Sequence, residues 1–214
     1  MHTDLPPKNT NKKKETYGEN YFMHGVGSCY KNYRFIPEIA LQRAAAFTDA
    51  AGVQPDAKVL DYGCAMGVIT AGLAMHGFTA TVVDISEWAV RNCVPEAKGL
   101  VHALGKDGLK EFTNDSFDLV IAKDVFEHVP VSDLKPLVDE LMRIAAKLIF
   151  LCPVVGPEGT YLRTTDEEDA THITRLTKEE WLALFPYKTT ECAVAIPAIK
   201  GEHAYGSVCA LLSR

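Results

Sequence analysis

An α/β fold, a mostly parallel doubly wound sheet with helices on both faces, is predicted by three observations. Short, near-continuous apolar runs recur between residues 57 and 152; stretches of helical periodicity separate them; glycine, proline or aspartate marks the changeovers. Runs that are apolar at nearly every position suit strands buried on both sides, as in a parallel sheet. With 214 residues, 47% of them hydrophobic, the chain can bury one good-sized core, so one main domain is expected.

The opening "MHTDLPPKNTNKKKET", residues 1–16, is polar and lysine-rich. It reads as a disordered, solvated tail and has no apolar segment that would make a secretory leader. Residues 17–35, "YGENYFMHGVGSCYKNYRF", are rich in aromatics and glycine but follow neither the helical nor the strand period. Pro37 then opens "PEIALQRAAAFTDAAG", apolar at helical spacing, and Gly52 stops it. Residues 17–52 are therefore an aromatic segment plus a helix, and 53–214 the main domain.

Strands are expected at 57–62, 78–84, 100–103, 117–123 and 148–152, with helices at 66–76, 86–93 and from Ser132 to Lys147. Ser132 is the expected N-cap of that last helix, with Asp133 in its first turn. In "THITRLTKEEWLALF", Thr177 caps a helix and Glu180 completes a capping box. "TTECAVAIP" and "GSVCALLS" follow as two strands of an antiparallel hairpin that closes the sheet edge.

Composition removes several function classes. A net charge of -6 does not neutralise phosphates, so duplex nucleic acid is not an expected partner. No apolar run approaches the roughly 20 residues that cross a bilayer, so no membrane span is expected. The six cysteines (Cys29, Cys64, Cys93, Cys152, Cys192, Cys209) form no CxxC pair and fall mostly in apolar runs. They read as reduced thiols of a cytoplasmic protein.

In such sheets ligands bind beyond the carboxyl ends of the strands. The first strand-to-helix turn lies in "KVLDYGCAMGVIT", residues 58–70. A dinucleotide fingerprint would put glycine at 63, 65 and 68; this chain has Gly63, Ala65 and Val68, with Gly67 instead. Asp61 would also set a negative charge against a pyrophosphate. Both departures count against an NAD-type cofactor. With a cationic, phosphate-free ligand such as S-adenosylmethionine, the same residues become an advantage. Asp61 could hold its ammonium, small residues let the backbone approach, and a helix N-terminus faces its carboxylate.

"VLDYGCAMG" resembles motif I of the class I S-adenosylmethionine-dependent methyltransferases, an acidic residue, any residue, then Gly-x-Gly-x-Gly, with Ala65 at the middle glycine. "TATVVDIS" places Asp84 at the end of the second strand, where the family holds ribose hydroxyls. "SFDLVIAKDVFEHVP", residues 116–130, resembles the fourth strand and motif IV of the small-molecule branch. The matches cover about residues 57–155. The resemblance implies a Rossmann-like sheet of seven strands, mostly parallel, with an antiparallel C-terminal hairpin strand. It also implies methyl transfer from S-adenosylmethionine to an oxygen or nitrogen of a small-molecule acceptor. The cofactor-binding set it implies is Asp61, Gly63, Cys64, Ala65, Gly67, Asp84, Ile85 and Lys123, with Asp107 as the adenine contact after strand three.

Methyl transfer needs positioning above all, and a base only when the acceptor must lose a proton. If a base is used, "KDVFEHV" is its expected place: His128 has a suitable intrinsic pKa, and Asp124 sits beside it at the end of strand four. Asp124, Glu127 and His128 also match the D/E-x-x-E-H arrangement of quinone-biosynthesis O-methyltransferases, some of them metal-dependent. The pattern recurs in relatives without metal, and no metal ligands are assigned. His172, in a run containing Asp166, Glu167, Glu168 and Asp169, reads as part of a solvated acidic loop. In the aromatic segment Tyr17, Tyr21, Tyr30 and Tyr33 could fold over the cleft, with Tyr21 facing the cofactor and Arg34 reaching its carboxylate. Packing on the first helix is the plainer alternative. Two other functions stay open: a non-catalytic S-adenosylmethionine-binding protein on this fold, and an NAD-dependent enzyme. Sequence leaves the acceptor and the oligomeric state unknown.

Overall fold

The structure, a computed structural model, describes residues 16–30, 33–105, 107–194 and 206–214. The tail assigned to residues 1–16 lies almost wholly outside the described residues. So do the last three residues of "TTECAVAIP".

Seven strands form one sheet: β1 (Lys58–Tyr62), β2 (Thr79–Asp84), β3 (Val101–Ala103), β4 (Phe117–Lys123), β5 (Ala145–Pro153), β6 (Lys188–Glu191) and β7 (Ser207–Ser213). Their spatial order is β3-β2-β1-β4-β5-β7-β6. The first five are parallel, and β7 runs antiparallel between β5 and β6. Strand order reverses between β1 and β4, which opens a crevice at their carboxyl ends.

The all-apolar strands are explained by their two covered faces. Leu60, Val120, Ala122, Leu148 and Phe150 pack on one side against Leu134, Val138, Leu141 and Met142 of α5 (Val131–Ile144) and Trp181 of α7 (Lys178–Ala183). Their chain neighbours Val59, Leu119, Ile121, Ile149 and Leu151 point the other way. There they meet Ala44 and Phe47 of α2 (Pro37–Ala51) and Ile69 and Leu73 of α3 (Val68–Met75). The period of two sends alternate side chains to separate cores.

Helix punctuation follows the sequence in part. Pro37 occupies the first turn of α2, and Gly52 closes it in a left-handed conformation. Thr177 and Glu180 form the expected capping box of α7. Ser132 is not a cap: α5 starts one residue earlier behind Pro130, and the Ser132 hydroxyl turns to Asp133 Oδ1 at 3.3 Å. That helix also ends at Ile144. Ala145 to Lys147 are strand because Ala145 aligns with Phe117, and Lys147 with Leu119 on one side and Ser213 on the other. Two ladders hold that backbone where a last helical turn would hold it with one.

Three short helices complete the description: α1 (Glu19–His24), α4 (Glu87–Arg91) and α6 (Thr164–Glu167). α1 lies in the aromatic segment where neither period was visible. It is six residues bounded by Gly18 and Gly25, too short to show a repeat.

Candidate functional site

A cavity of about 270 Å³ opens at the reversal point between β1 and β4, near the lower end of the roughly 300–1,000 Å³ typical of small-molecule sites. Its lining draws on the turn after β1, the ends of β2 and β4, α2 and the aromatic segment. Asp61, Gly63, Cys64, Ala65, Asp84, Ile85, Lys123, Asp124, His128 and Tyr21, all singled out in the sequence, line it.

Asp61 is 1% exposed, and its Oδ2 accepts a 2.8 Å hydrogen bond from the Thr70 hydroxyl on α3. Burial pushes its pKa up to about 7, with the Thr70 hydrogen bond opposing. A buried carboxylate facing a cleft is held in that uncomfortable state until a cation meets it. Asp84 holds the next turn together. Its Oδ2 accepts from the Ala65 N–H and its Oδ1 from the Ser86 N–H, both at 2.7 Å. The cap of α4 is Ser86 itself, whose hydroxyl accepts from the Ala89 N–H. Asp84 is therefore not a helix cap, and lone pairs on both of its oxygens remain for a ligand.

The turn residues divide their work. Gly63 has φ +76°, and a Cβ there would sit 2.6 Å from Val125 Cγ2, so only a bare backbone fits at the cleft wall. Ala65 adopts φ +50° without being glycine. Its methyl is thus a conformational cost as much as a steric one. Gly67 does not line the cavity: it starts α3 with φ +78°, where a Cβ would press on Ala97 Cβ at 2.7 Å. Its service is packing.

Two other expected residues are placed elsewhere. Arg34 is exposed and outside the lining; the arginine that lines the cavity is Arg43 of α2. Arg34 precedes the helix, whereas Arg43 sits two turns into it, on the side facing the sheet's carboxyl edge. Asp107 is exposed at the start of the turn Gly108–Glu111. The chain leaves the cleft earlier, at Leu104, whose N–H donates to Asp84 O at 2.9 Å and whose side chain lines the cavity. The sequence motifs do not single out Arg43, the one cation in that alanine-rich helical run.

The aromatic segment covers the opening. Tyr17, Tyr21, Phe22, Tyr30 and Tyr33 all line the cavity. Tyr17 meets Tyr21 edge-on at 5.0 Å, Tyr30 meets Tyr33 at 5.1 Å, and Phe22 stacks on Trp88 at 5.7 Å. Ser86 donates to the Tyr17 carbonyl at 2.5 Å, which ties the segment to α4.

On the β4 side, Asp124 has φ +53° and pairs with Lys123. Burial pushes its carboxyl up, but Lys123, Arg163 and Arg43 outweigh that and hold it below the usual range. Glu127 is fully buried, neither of its carboxyl oxygens has a hydrogen-bond partner among the described residues, and burial beside Asp124 raises it well above the ordinary carboxylate range. His128 lines the cavity in the short helix Phe126–His128. Burial and the neighbouring His172 ring lower its pKa to about 4, so its imidazole is neutral at pH 7. Glu127, His128 and His172 each offer one ligand atom within 4.8 Å of the others, a carboxylate and two imidazoles of the kind that suit a transition ion.

The segment from α6 to His172 differs from a solvated loop. Asp166 and Asp169 are buried, and the His172 side chain is 6% exposed. Asp166 pairs with Arg163, and Asp169 accepts from the Tyr21 hydroxyl at 2.8 Å.

A strand-end carboxylate without a phosphate cradle, a second carboxylate on the next strand and an aromatic cover define a doubly wound domain built for a cationic nucleoside. A methyltransferase-domain family model matches residues 59–147, from β1 into β5. An uncharacterised Haemophilus influenzae protein is 30% identical over 146 residues, covering 63% of this chain and 58% of its own length. The ubiquinone biosynthesis O-methyltransferase of Rickettsia prowazekii is 36% identical over 75 residues, 34% of this chain and 30% of that one. The matches to these two relatives thus span between about a third and just over half of their lengths. A SAM-dependent methyltransferase structure from Archaeoglobus fulgidus superposes with a TM-score of 0.62 at 17% identity, over 84% of this chain and 95% of that one. At that identity the likeness is one of fold. Residues 59–147 thus match a methyltransferase domain, on the fold of S-adenosylmethionine-dependent methyltransferases, and such a domain implies S-adenosylmethionine as its cofactor. The residues present suit that donor: the Asp61 carboxylate is buried at the cleft with its pKa raised, and Gly63 leaves the wall bare.

Proposed function

We propose that this chain transfers a methyl group from S-adenosylmethionine to an oxygen or nitrogen of a small-molecule acceptor. A hydroxyl is the acceptor best matched to the site. The observation that carries this reading is a neutral, buried imidazole, His128, at one wall of the cavity that Asp61 and Asp84 line from the other.

When bound, S-adenosylmethionine supplies a methyl group on a sulfonium leaving group. Asp61 would hold its ammonium and Arg43 its carboxylate, Asp84 would accept from the ribose hydroxyls, and Leu104, Val83 and Ile85 would meet the adenine; all six line the cavity. Tyr17, Tyr21, Tyr30 and Tyr33 shut out water and present ring faces to positive charge. His128 accepts the proton that a hydroxyl acceptor loses as its oxygen gains the methyl group. Lys123 holds Asp124 ionised beside it, which keeps local charge balanced.

A small acceptor is supported by the aromatic-lined cavity and by the O-methyltransferase likeness. The net charge of -6 speaks against duplex nucleic acid, and no helix among the described residues is long and apolar enough to cross a membrane. Six free thiols suit a reducing, cytoplasmic setting. The test is turnover of S-adenosylmethionine to S-adenosylhomocysteine against a panel of phenols, catechols, sugars and amines. Donor binding without turnover of any of them would leave a binding protein in place of an enzyme.

A further inference from the structure

Between the aromatic cover and His128 runs a line of hydrogen bonds that the proposed transfer does not use. Tyr21, in α1, donates its hydroxyl to Asp169 Oδ2 at 2.8 Å, across 148 residues of sequence. The other oxygen, Asp169 Oδ1, accepts twice from Thr171: from its N–H at 2.9 Å and from its hydroxyl at 2.5 Å. Thr171 Oγ1 in turn lies 2.8 Å from His128 Nδ1, and the Thr171 carbonyl lies 3.2 Å from the same nitrogen.

Hydrogen-bond inventory fixes the direction of every step. A carboxylate only accepts, so the single hydroxyl hydrogen of Thr171 points to Asp169. A carbonyl only accepts as well. Both Thr171 oxygens near His128 must therefore receive, and Nδ1 is the nitrogen that carries the hydrogen. That leaves Nε2 with its lone pair free. An imidazole in the opposite tautomer would present an N–H where a base is needed. Asp169 is 3% exposed, so its two sets of bonds form away from competing water.

The aromatic segment feeds this line at a second point. The Ala170 N–H donates to Gly27 O at 3.2 Å, and Ser28 donates to Tyr21 O at 2.5 Å. The loop carrying Asp169 and Thr171 is thus strapped to the same segment that covers the cavity. Tyr17 meets the His128 ring edge-on at 5.8 Å, and His172 meets it at 4.8 Å. These are ring contacts, with no bond that competes for Nδ1.

We infer that Asp169 and Thr171 are positioning residues that lock His128 in its Nδ1–H tautomer, and that Tyr21 couples this lock to seating of the aromatic cover. The catalytic value of the lock rests on His128 being the base of the proposed transfer; the lock itself does not. Closing the cover over a bound donor and aiming the base are then one event, because Tyr21 faces the cavity with its ring and Asp169 with its hydroxyl.

The test is nitrogen-15 spectroscopy of the histidine rings in the full chain, with His128 signals assigned by their loss in His128→Asn. Wild type is expected to show the proton on Nδ1 at pH 7. In Asp169→Ala the Thr171 hydroxyl loses its acceptor and turns to donate to Nδ1, so the proton moves substantially to Nε2. Asp169→Asn keeps an accepting oxygen for Thr171 and restores the Nδ1–H form, which removal of a merely structural contact would not do. A wild-type ring protonated on Nε2 overturns the inference, and so does an Asp169→Ala ring that stays protonated on Nδ1. Should Asp169→Ala fail to fold, the wild-type and Asp169→Asn spectra decide alone, since either showing Nε2–H defeats the lock. Turnover separates the two readings. A locked tautomer in a protein that methylates nothing keeps the lock and removes the activity, whereas turnover with an unlocked ring does the reverse.

Discussion

Thr70 Oγ1 donates to Asp61 Oδ2 at 2.8 Å across the turn from β1 to α3, within a shell that leaves Asp61 1% exposed. Burial moves the Asp61 carboxyl from 3.8 to about 7. The native state therefore binds that proton more tightly than the unfolded chain does. The stabilisation from the proton is present below about pH 4, shrinks as pH rises, and is gone above about 7. Two outcomes follow. Donor affinity, which needs the ionised carboxylate, should fall roughly tenfold for each pH unit below 7. Asp61→Asn should melt higher than wild type at pH 8 in the absence of donor, by no more than about 4 kcal/mol, while losing about a hundredfold or more in donor affinity. Calorimetry and thermal melts read both. An unchanged pH slope of donor affinity in Asp61→Asn would defeat the assignment.

Gly63 carries two constraints that can be separated. A Cβ there meets Val125 Cγ2 at 2.6 Å, and φ is +76°. Gly63→Ala should cost about 1–3 kcal/mol. Adding Val125→Ala clears the collision but leaves the backbone penalty of about 1 kcal/mol. Denaturant melts of the two single variants and the double variant form a cycle, and the expected coupling is favourable. Strict additivity would show that the Val125 contact is irrelevant. At Ala65, with φ +50°, the sign reverses, and Ala65→Gly should be neutral or slightly stabilising.

How much of this was legible in the sequence depends on range. The strands showed because apolar runs buried on both faces advertise themselves locally, and so did Thr177 with Glu180, a cap contained within four residues. Asp61 and Asp84 showed because each ends a strand. The end of α5 did not: "RIAAKLIF" suits helix or strand, and only pairing of Ala145 and Lys147 with β4 and β7 decides it. Arg43, Asp169 and Thr171 were hidden for a related reason. Their partners lie far away in sequence, Tyr21 being 148 residues from Asp169, so no local spacing records them. The acidic run 166–169 looked solvated because charge alone does not reveal the half-buried Arg163 beside Asp166.

The aromatic segment should contribute directly to donor binding. Removing residues 1–35 takes away five lining side chains and opens Asp84 and His128 to water. The expected loss in donor affinity is at least tenfold, with the β-sheet core still folding cooperatively. Tyr21→Phe is the finer test: it keeps the ring and deletes the hydroxyl bond to Asp169. Hydrogen exchange over residues 17–30 should quicken, and donor affinity should fall a few-fold. Full affinity after the truncation would assign the whole segment to packing.

Glu127 makes the last prediction. Burial first, and the Asp124 charge second, raise its carboxyl well above the ordinary range, which favours the neutral acid. Glutamine has the same shape and no charge. Glu127→Gln should therefore change stability by less than about 1 kcal/mol at pH 7. Above the raised pKa the wild type must bury a bare charge, so its stability falls with rising pH while that of Glu127→Gln does not. The grouping of Glu127, His128 and His172 would grip an ion only with Glu127 ionised, which burial opposes. Chelation is accordingly expected to leave the wild-type melt unmoved. A melt that chelator lowers in wild type but not in Glu127→Gln would instead make Glu127 an ionised metal ligand.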